Sequence, residues 1–200
     1  MELLPWVFTS GWASGINSYL VVLMLGLLDR AVDIGPVPDV LQRTDVLVLA
    51  AVLFLVDTVA DKVPYVDASW DAVHTVIRPA VGTALGALIA GNETNLDQAL
   101  LAATGGLTAL SSHLVKAGLR AAVNTSPEPA SNIAVSVGED VTVAGVVSLA
   151  VVEPVIAAGI AAILLFVGAF VVVGLWLRIR SWRRRRRDRE RARDPGTYQR

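Results

Sequence analysis

No cysteine occurs in the 200 residues, which excludes disulfides, thiol nucleophiles and cysteine-ligated metal sites. Histidine is nearly as scarce, with two copies. No spaced ligand motif joins His74 and His113 to the nearby acids, so no metal site is assigned. There is no Gly-x-Ser-x-Gly, no His-Glu-x-x-His and no P-loop, so hydrolase and NTPase chemistry have no motif to rest on. No cofactor, catalytic residue or enzymatic activity is expected. Charge is also sparse: 18% of residues are charged, where soluble domains carry about a quarter.

What is present is apolar. Hydrophobic residues make up 54% of the chain and the mean hydropathy is +0.58. The charge is uneven. From Arg178 to Arg200 eleven Arg stand against three acids, a net of +8, while the rest of the chain carries −9 and the total is −1. These features predict an all-α integral membrane protein, with a transmembrane domain over 1–177 and a basic tail over 178–200.

A membrane helix needs about 20 mostly apolar residues. Six such segments are readable: about 4–28, 45–62, 72–90, 99–123, 133–152 and 154–177. Pro36 and Pro38 break the first loop, and GNETNLDQ separates two three-segment halves, about 4–91 and 97–177. Tyr65 and Trp70 are expected at headgroup depth, and Pro127 and Pro129 mark a further loop. Only Glu153 and Pro154 separate the fifth and sixth segments, which leaves one kinked helix as the alternative to two. The N-terminus has neither a basic region nor a cleavage site, and is expected to be retained as a span.

The first segment is unusually polar for a span, carrying Gly11, Ser14, Gly15, Asn17 and Ser18. A weaker copy, GGLTALSSHLVKAG, opens the second half. Aligning Gly11 with Gly105 pairs Ser14 with Thr108, Asn17 with Ser111, Ser18 with Ser112 and Tyr19 with His113. Hydrophobic segments interrupted at matching places point to a transport site. Three spans per half predicts inverted repeats with interrupted first helices. A polar midplane site is then expected around Ser14, Gly15, Asn17, Ser18, Thr108, Ser111, Ser112 and His113, serving a small polar solute or ion. The alternative is a non-transporting scaffold or lipid-interacting protein: Gly11/Gly15 and Gly82/Gly86 also suit close helix packing, and hydroxyls can bond back to their own helix.

Charges at membrane depth are costly, and so are either functional or paired. Asp57, Asp61, His74, Arg78, Lys116, Arg120, Glu139 and Asp140 are expected to gather toward the cytoplasmic side, apart from the midplane site. They would form either a gate or relay, or a set of ion pairs such as Asp61 with Arg78 and Glu139 or Asp140 with Lys116 or Arg120. Asp57 and Glu153 are the isolated acids.

The Arg-rich tail, placed directly after a span, predicts a topology signal that attracts anionic headgroups at about 1 kcal/mol per basic residue, and no nucleic-acid partner. Its removal is expected to disturb insertion or lipid affinity more than transport; a tail-less protein that inserts normally but is inactive would refute this. With six spans, both termini would be cytoplasmic, and so small a chain is expected to form a homo-oligomer. The strings SGINSYL, ADKVPYVDASWDAVHTVIRPAVG, HLVKAGLRAAVNTSPEPASN and the following GED resemble a bacterial membrane family, domain of unknown function 4126, over about residues 9–175. The resemblance implies a small multi-span inner-membrane protein and carries no activity with it.

Overall fold

The computed structural model describes residues 2–63, 66–123 and 129–193. Six helices follow in order: α1 (Leu4–Val32), α2 (Thr44–Ala60), α3 (Val66–Ala90), α4 (Asn95–Val123), α5 (Pro129–Val152) and α6 (Pro154–Arg193), with one 3₁₀ turn at Asp39–Gln42. Among the described residues, four stretches are long and apolar enough to cross a membrane: Leu4–Val32, Ser69–Ala90, Ile133–Val152 and Pro154–Trp182. α2 has 17 residues, short of the ~20 that a bilayer core requires. Most of Pro127's loop, Tyr65 and the last residues of the tail lie outside the described residues.

Helix α1 forms the centre. Its most apolar window is 61% buried, whereas that of α6 is 11% buried, so α6 is peripheral and turns Phe166, Phe170 and Trp176 outward. Pro5 stands in the first turn of α1, where a missing amide hydrogen costs nothing. The helix ends at Asp33 in a left-handed conformation, φ 49°. The buried Asp29 carboxylate then organises the following loop, accepting from the Ile34 amide at 2.6 Å and from the Gln42 side chain.

The helices pack through small residues. A Cβ on Gly11 would collide with Gly105 and Thr108, and one on Gly15 with Ala109 and Ser112. Contacts that rise together along both chains mean that α1 and α4 run parallel. Gly82 meets Gly105 and Ala109, and Gly86 meets Leu101, so α3 and α4 are antiparallel. α3 is also antiparallel to α1, with His74 beside Tyr19 and Arg78 beside Gly15. α2 descends the same way, with Leu47 near Gly26 and Asp61 on Lys116, which itself reaches Ile16. α2 and α3 are therefore two consecutive pieces of one return path, and they meet beside the middle of α1.

Gly118 packs on Val172 and Gly168 on Val115, so α6 runs parallel to α4. The chain turns back sharply at Glu153, which caps both neighbours: its amide donates to Leu149 and its carbonyl accepts from Ala157. Residues 138–142 and 164–168 line the same cavity, whereas one straight helix would hold them roughly 40 Å apart. The fifth and sixth segments are therefore separate helices, and Glu153 is exposed at their corner.

This arrangement corrects three expectations. α1 and α4 do not oppose one another as inverted repeats require. α4 is continuous, so only the first of the two expected interruptions exists. Because α1, α4 and α6 share one direction, the start of α1 and the end of α6 lie at opposite ends of the bundle, not on one side. The six-span expectation gives α2 and α3 a full crossing each, whereas here they share one return path.

The close α1–α4 approach makes a prediction. Gly15→Val is expected to destabilise the protein by about 1–3 kcal/mol, the cost of overpacking a filled interface. Unfolding in mixed micelles would measure this, and an unchanged midpoint would contradict the packing.

Candidate functional site

Asn17 interrupts α1 with extended backbone, φ −151° and ψ 93°. A break of this kind orphans the carbonyls of the preceding turn and the amides of the following one. Four of these groups bond to side chains. The Ser18 hydroxyl donates to the Ser14 carbonyl at 2.7 Å, Arg78 Nη1 to the Gly15 carbonyl at 3.3 Å and Lys116 Nζ to the Ile16 carbonyl at 3.0 Å. Asn17 Oδ1 accepts from the Leu20 amide at 3.0 Å, capping the second half-helix. Its Nδ2 donates to Asp140 Oδ1 at 2.9 Å. Two cations thus meet the negative end of one half-helix, and a carboxylate stands by the positive start of the other.

Two buried clusters extend from this break. The first joins the end of α2 to α3. Asp57 Oδ1 accepts from Trp70 Nε1 at 2.6 Å and from Arg78 Nη2 at 3.4 Å, and lies 3.7 Å from His74 Nε2. Asp71 pairs with Arg78 Nη1 at 3.6 Å. Asp71, His74, Thr75 and Arg78 are spaced for one face of α3. The second cluster joins Asp61, Lys116, Arg120 and Glu139. Lys116 reaches Asp61 at 2.7 Å and Glu139 at 3.3 Å, and Arg120 reaches the same carboxylates at 3.0 and 2.8 Å.

The histidine rings are fixed by their neighbours. His74 Nδ1 lies 2.8 Å from the Trp70 carbonyl, which can only accept, so that nitrogen carries a proton, while Nε2 faces the Tyr19 hydroxyl at 3.0 Å and Asp57 Oδ1 at 3.7 Å. His113 Nδ1 faces Arg78 at 3.3 Å and so accepts, leaving the proton on Nε2 beside Thr75 at 3.1 Å. In this pattern the His113 ring is neutral.

The expected cytoplasmic cluster and the expected midplane site are therefore one layer, joined by Arg78, Lys116 and Asp140. The Asp61–Arg78 pair does not form. Arg78 serves Asp57 and Asp71, while Asp61 goes to Lys116 and Arg120. Asp140 pairs with Asn17, not with a cation, and Asp57 is not isolated. Among the midplane residues, Ser14, Gly15, Asn17, Ser18, Thr108, Ser112 and His113 are buried, whereas Ser111 is exposed and bonds back to Leu107. Thr108 likewise bonds to its own helix, at Thr104 and Gly105. Trp70 is half-buried, with its indole nitrogen donating to Asp57.

Tyr19, Trp70, Asp71 and Thr75 belong to this layer although the sequence assigns none of them to a site. The polar spacing 71, 74, 75, 78 was the available signal. Several buried polar atoms lack a hydrogen-bond partner, including Asp57 Oδ2, Asp61 Oδ1 and Arg78 Nε.

Comparison with known proteins finds the family described as Domain of unknown function (DUF4126) over residues 4–174. No curated protein and no solved structure matches the chain.

Proposed function

We propose, from the premise that this chain belongs to the DUF4126 family, that it is a small membrane transporter or channel-like protein, not an enzyme. Its path for a small polar solute or ion passes the break in α1. One observation carries this reading. Around the break, five carboxyls (Asp57, Asp61, Asp71, Glu139, Asp140) face three cations (Arg78, Lys116, Arg120), His113 is neutral in its bonding pattern, and His74 lies 3.7 Å from Asp57 as one place for a further proton. Unbalanced charge in an apolar interior is strongly unfavourable. The layer therefore calls for two more positive charges, as bound protons or bound cations.

The positive-inside rule puts the Arg-rich end of α6 in the cytoplasm and the start of α1 on the far side, in the inner (plasma) membrane of a bacterium. The basic end of α6 meets anionic headgroups. A second copy of the chain is the expected partner for the apolar outer face of α6.

A scaffold reading has its own support, since the orphaned carbonyls at Gly15 and Ile16 are capped by protein side chains and the glycines pack helices. Flux separates the two. Purified protein in liposomes under a potassium diffusion potential is expected to carry protons or Na⁺. Asp57→Asn is expected to reduce that flux at least tenfold while the protein remains folded. Cysteines placed at 17 and 57 are expected to react with a polar thiol reagent. Complete protection at both positions, with no flux of any cation, would leave the scaffold.

A further inference from the structure

Beside the break lies a partly open cavity of about 250 Å³ between α1, α4, α5 and α6. It exists because α4 and α5 barely touch and because Gly138 presents no side chain to it. Its volume is below the roughly 300–1,000 Å³ of drug-sized pockets, which restricts an occupant to a small molecule. The walls are apolar, with Val115 and Leu164 among them, and Trp12 closes the α1 side. The polar side chains at its surface are Ser112, Lys116, Glu139 and Thr142.

The hydrogen-bond inventory of those four side chains is one-sided. Lys116 spends its ammonium hydrogens on Asp61, Ile16 and Glu139. The Ser112 hydroxyl donates to the Trp12 carbonyl at 2.7 Å, and that of Thr142 to the Gly138 carbonyl at 2.7 Å. Glu139 receives both Arg120 and Lys116 on Oε2, and its Oε1 has no partner among the described residues. These groups therefore offer the cavity acceptors: a carboxylate oxygen and two hydroxyl lone pairs.

We propose that this cavity binds a small organic ammonium ion, with its N–H groups on Glu139 Oε1 and the hydroxyls of Ser112 and Thr142, and its hydrocarbon part against Val115 and Leu164. An anion meets no free donor on these side chains, because the Lys116 ammonium is already spent on Asp61, Ile16 and Glu139. A neutral alcohol makes the same contacts without charge assistance, which roughly doubles the strength of such bonds. The proposal deepens the transport reading and rests on it for physiological meaning, because the cavity abuts the layer at Lys116 and Glu139.

The test uses three probes of equal size, n-butylammonium, 1-butanol and butyrate, titrated into the purified full-length protein in detergent and followed by ligand-detected NMR. Saturable binding of butylammonium is expected, with the alcohol and the carboxylate weaker by roughly tenfold or more. Glu139→Gln is expected to remove the preference but also disturbs the ion network. Gly138→Leu avoids that problem, since a Cβ at 138 meets no atom within 4 Å. It is expected to fill the cavity and abolish binding while the protein stays folded. Equal binding of butyrate, or undiminished butylammonium binding in folded Gly138→Leu, would overturn the proposal. Cation flux in liposomes is measured separately: flux without butylammonium binding refutes this site alone, whereas binding without any flux supports the site and refutes the transport reading.

Discussion

Arg78→Met is expected to destabilise the protein by about 3–5 kcal/mol, the cost of removing one partner from a buried charge network. The Arg78 side chain is fully buried. It pairs with Asp57 and Asp71, caps the Gly15 carbonyl at the α1 break and donates to His113. Methionine fills much of the volume and removes all four interactions, leaving two carboxylates facing an apolar interior. Two further variants separate charge from shape. Arg78→Lys keeps the charge but lacks the planar fork that reaches several acceptors at once, and an intermediate loss is expected. Arg78→Met combined with Asp57→Asn and Asp71→Asn removes both signs of charge, and most of the lost stability should return. Unfolding by SDS in mixed micelles measures all three. A Met variant within 1 kcal/mol of the parent would show that the ion pairs do not hold α1, α2 and α3 together.

The position of Arg78 also explains why part of this architecture was legible in the chain and part was not. The break in α1 stands out because Asn17 interrupts an apolar run that a plain anchor would fill with Leu and Val. The helix boundaries follow from prolines and polar loops, and Glu153-Pro154 marked a corner that only the folded chain could show to be a reversal. The face of α3 carrying Asp71, His74 and Arg78 was readable from spacing, yet its depth was not. Assigning depth from order along the chain assumes that each apolar segment crosses completely. α2 and α3 instead run in the same direction and meet halfway, which carries Asp57, Asp61 and Trp70 to the level of the break. Ser111 shows the complementary limit. It aligns with Asn17 in the faint repeat, but one residue is a turn of about 100° on a helix, and it is Ser112 that faces α1. Parallel packing of α1 and α4 is a tertiary fact, set by glycines whose pattern suits either direction.

The second large effect concerns the break itself. Asn17→Ala removes the cap on Leu20 and the bond to Asp140 together. Loss of an N-cap costs about 0.5–2 kcal/mol, and a carboxylate left without its donor costs about 1–3 kcal/mol, so a total near 2–5 kcal/mol is expected. Adding Asp140→Ala removes the orphaned carboxylate, and the double variant should be more stable than Asn17→Ala alone. The coupling between the two sites is expected at about 0.5–3 kcal/mol, the range for groups in direct contact. Flux then discriminates between the roles of the break. In the double variant nothing at position 17 holds the backbone open, and a continuous helix regains the bonds that Arg78 and Lys116 now make to Gly15 and Ile16. If the break forms the path, the double variant folds, recovers stability and still carries no cations in liposomes. Recovery of flux along with stability would mean that Asn17 and Asp140 serve packing, and that the path runs elsewhere in the charged layer.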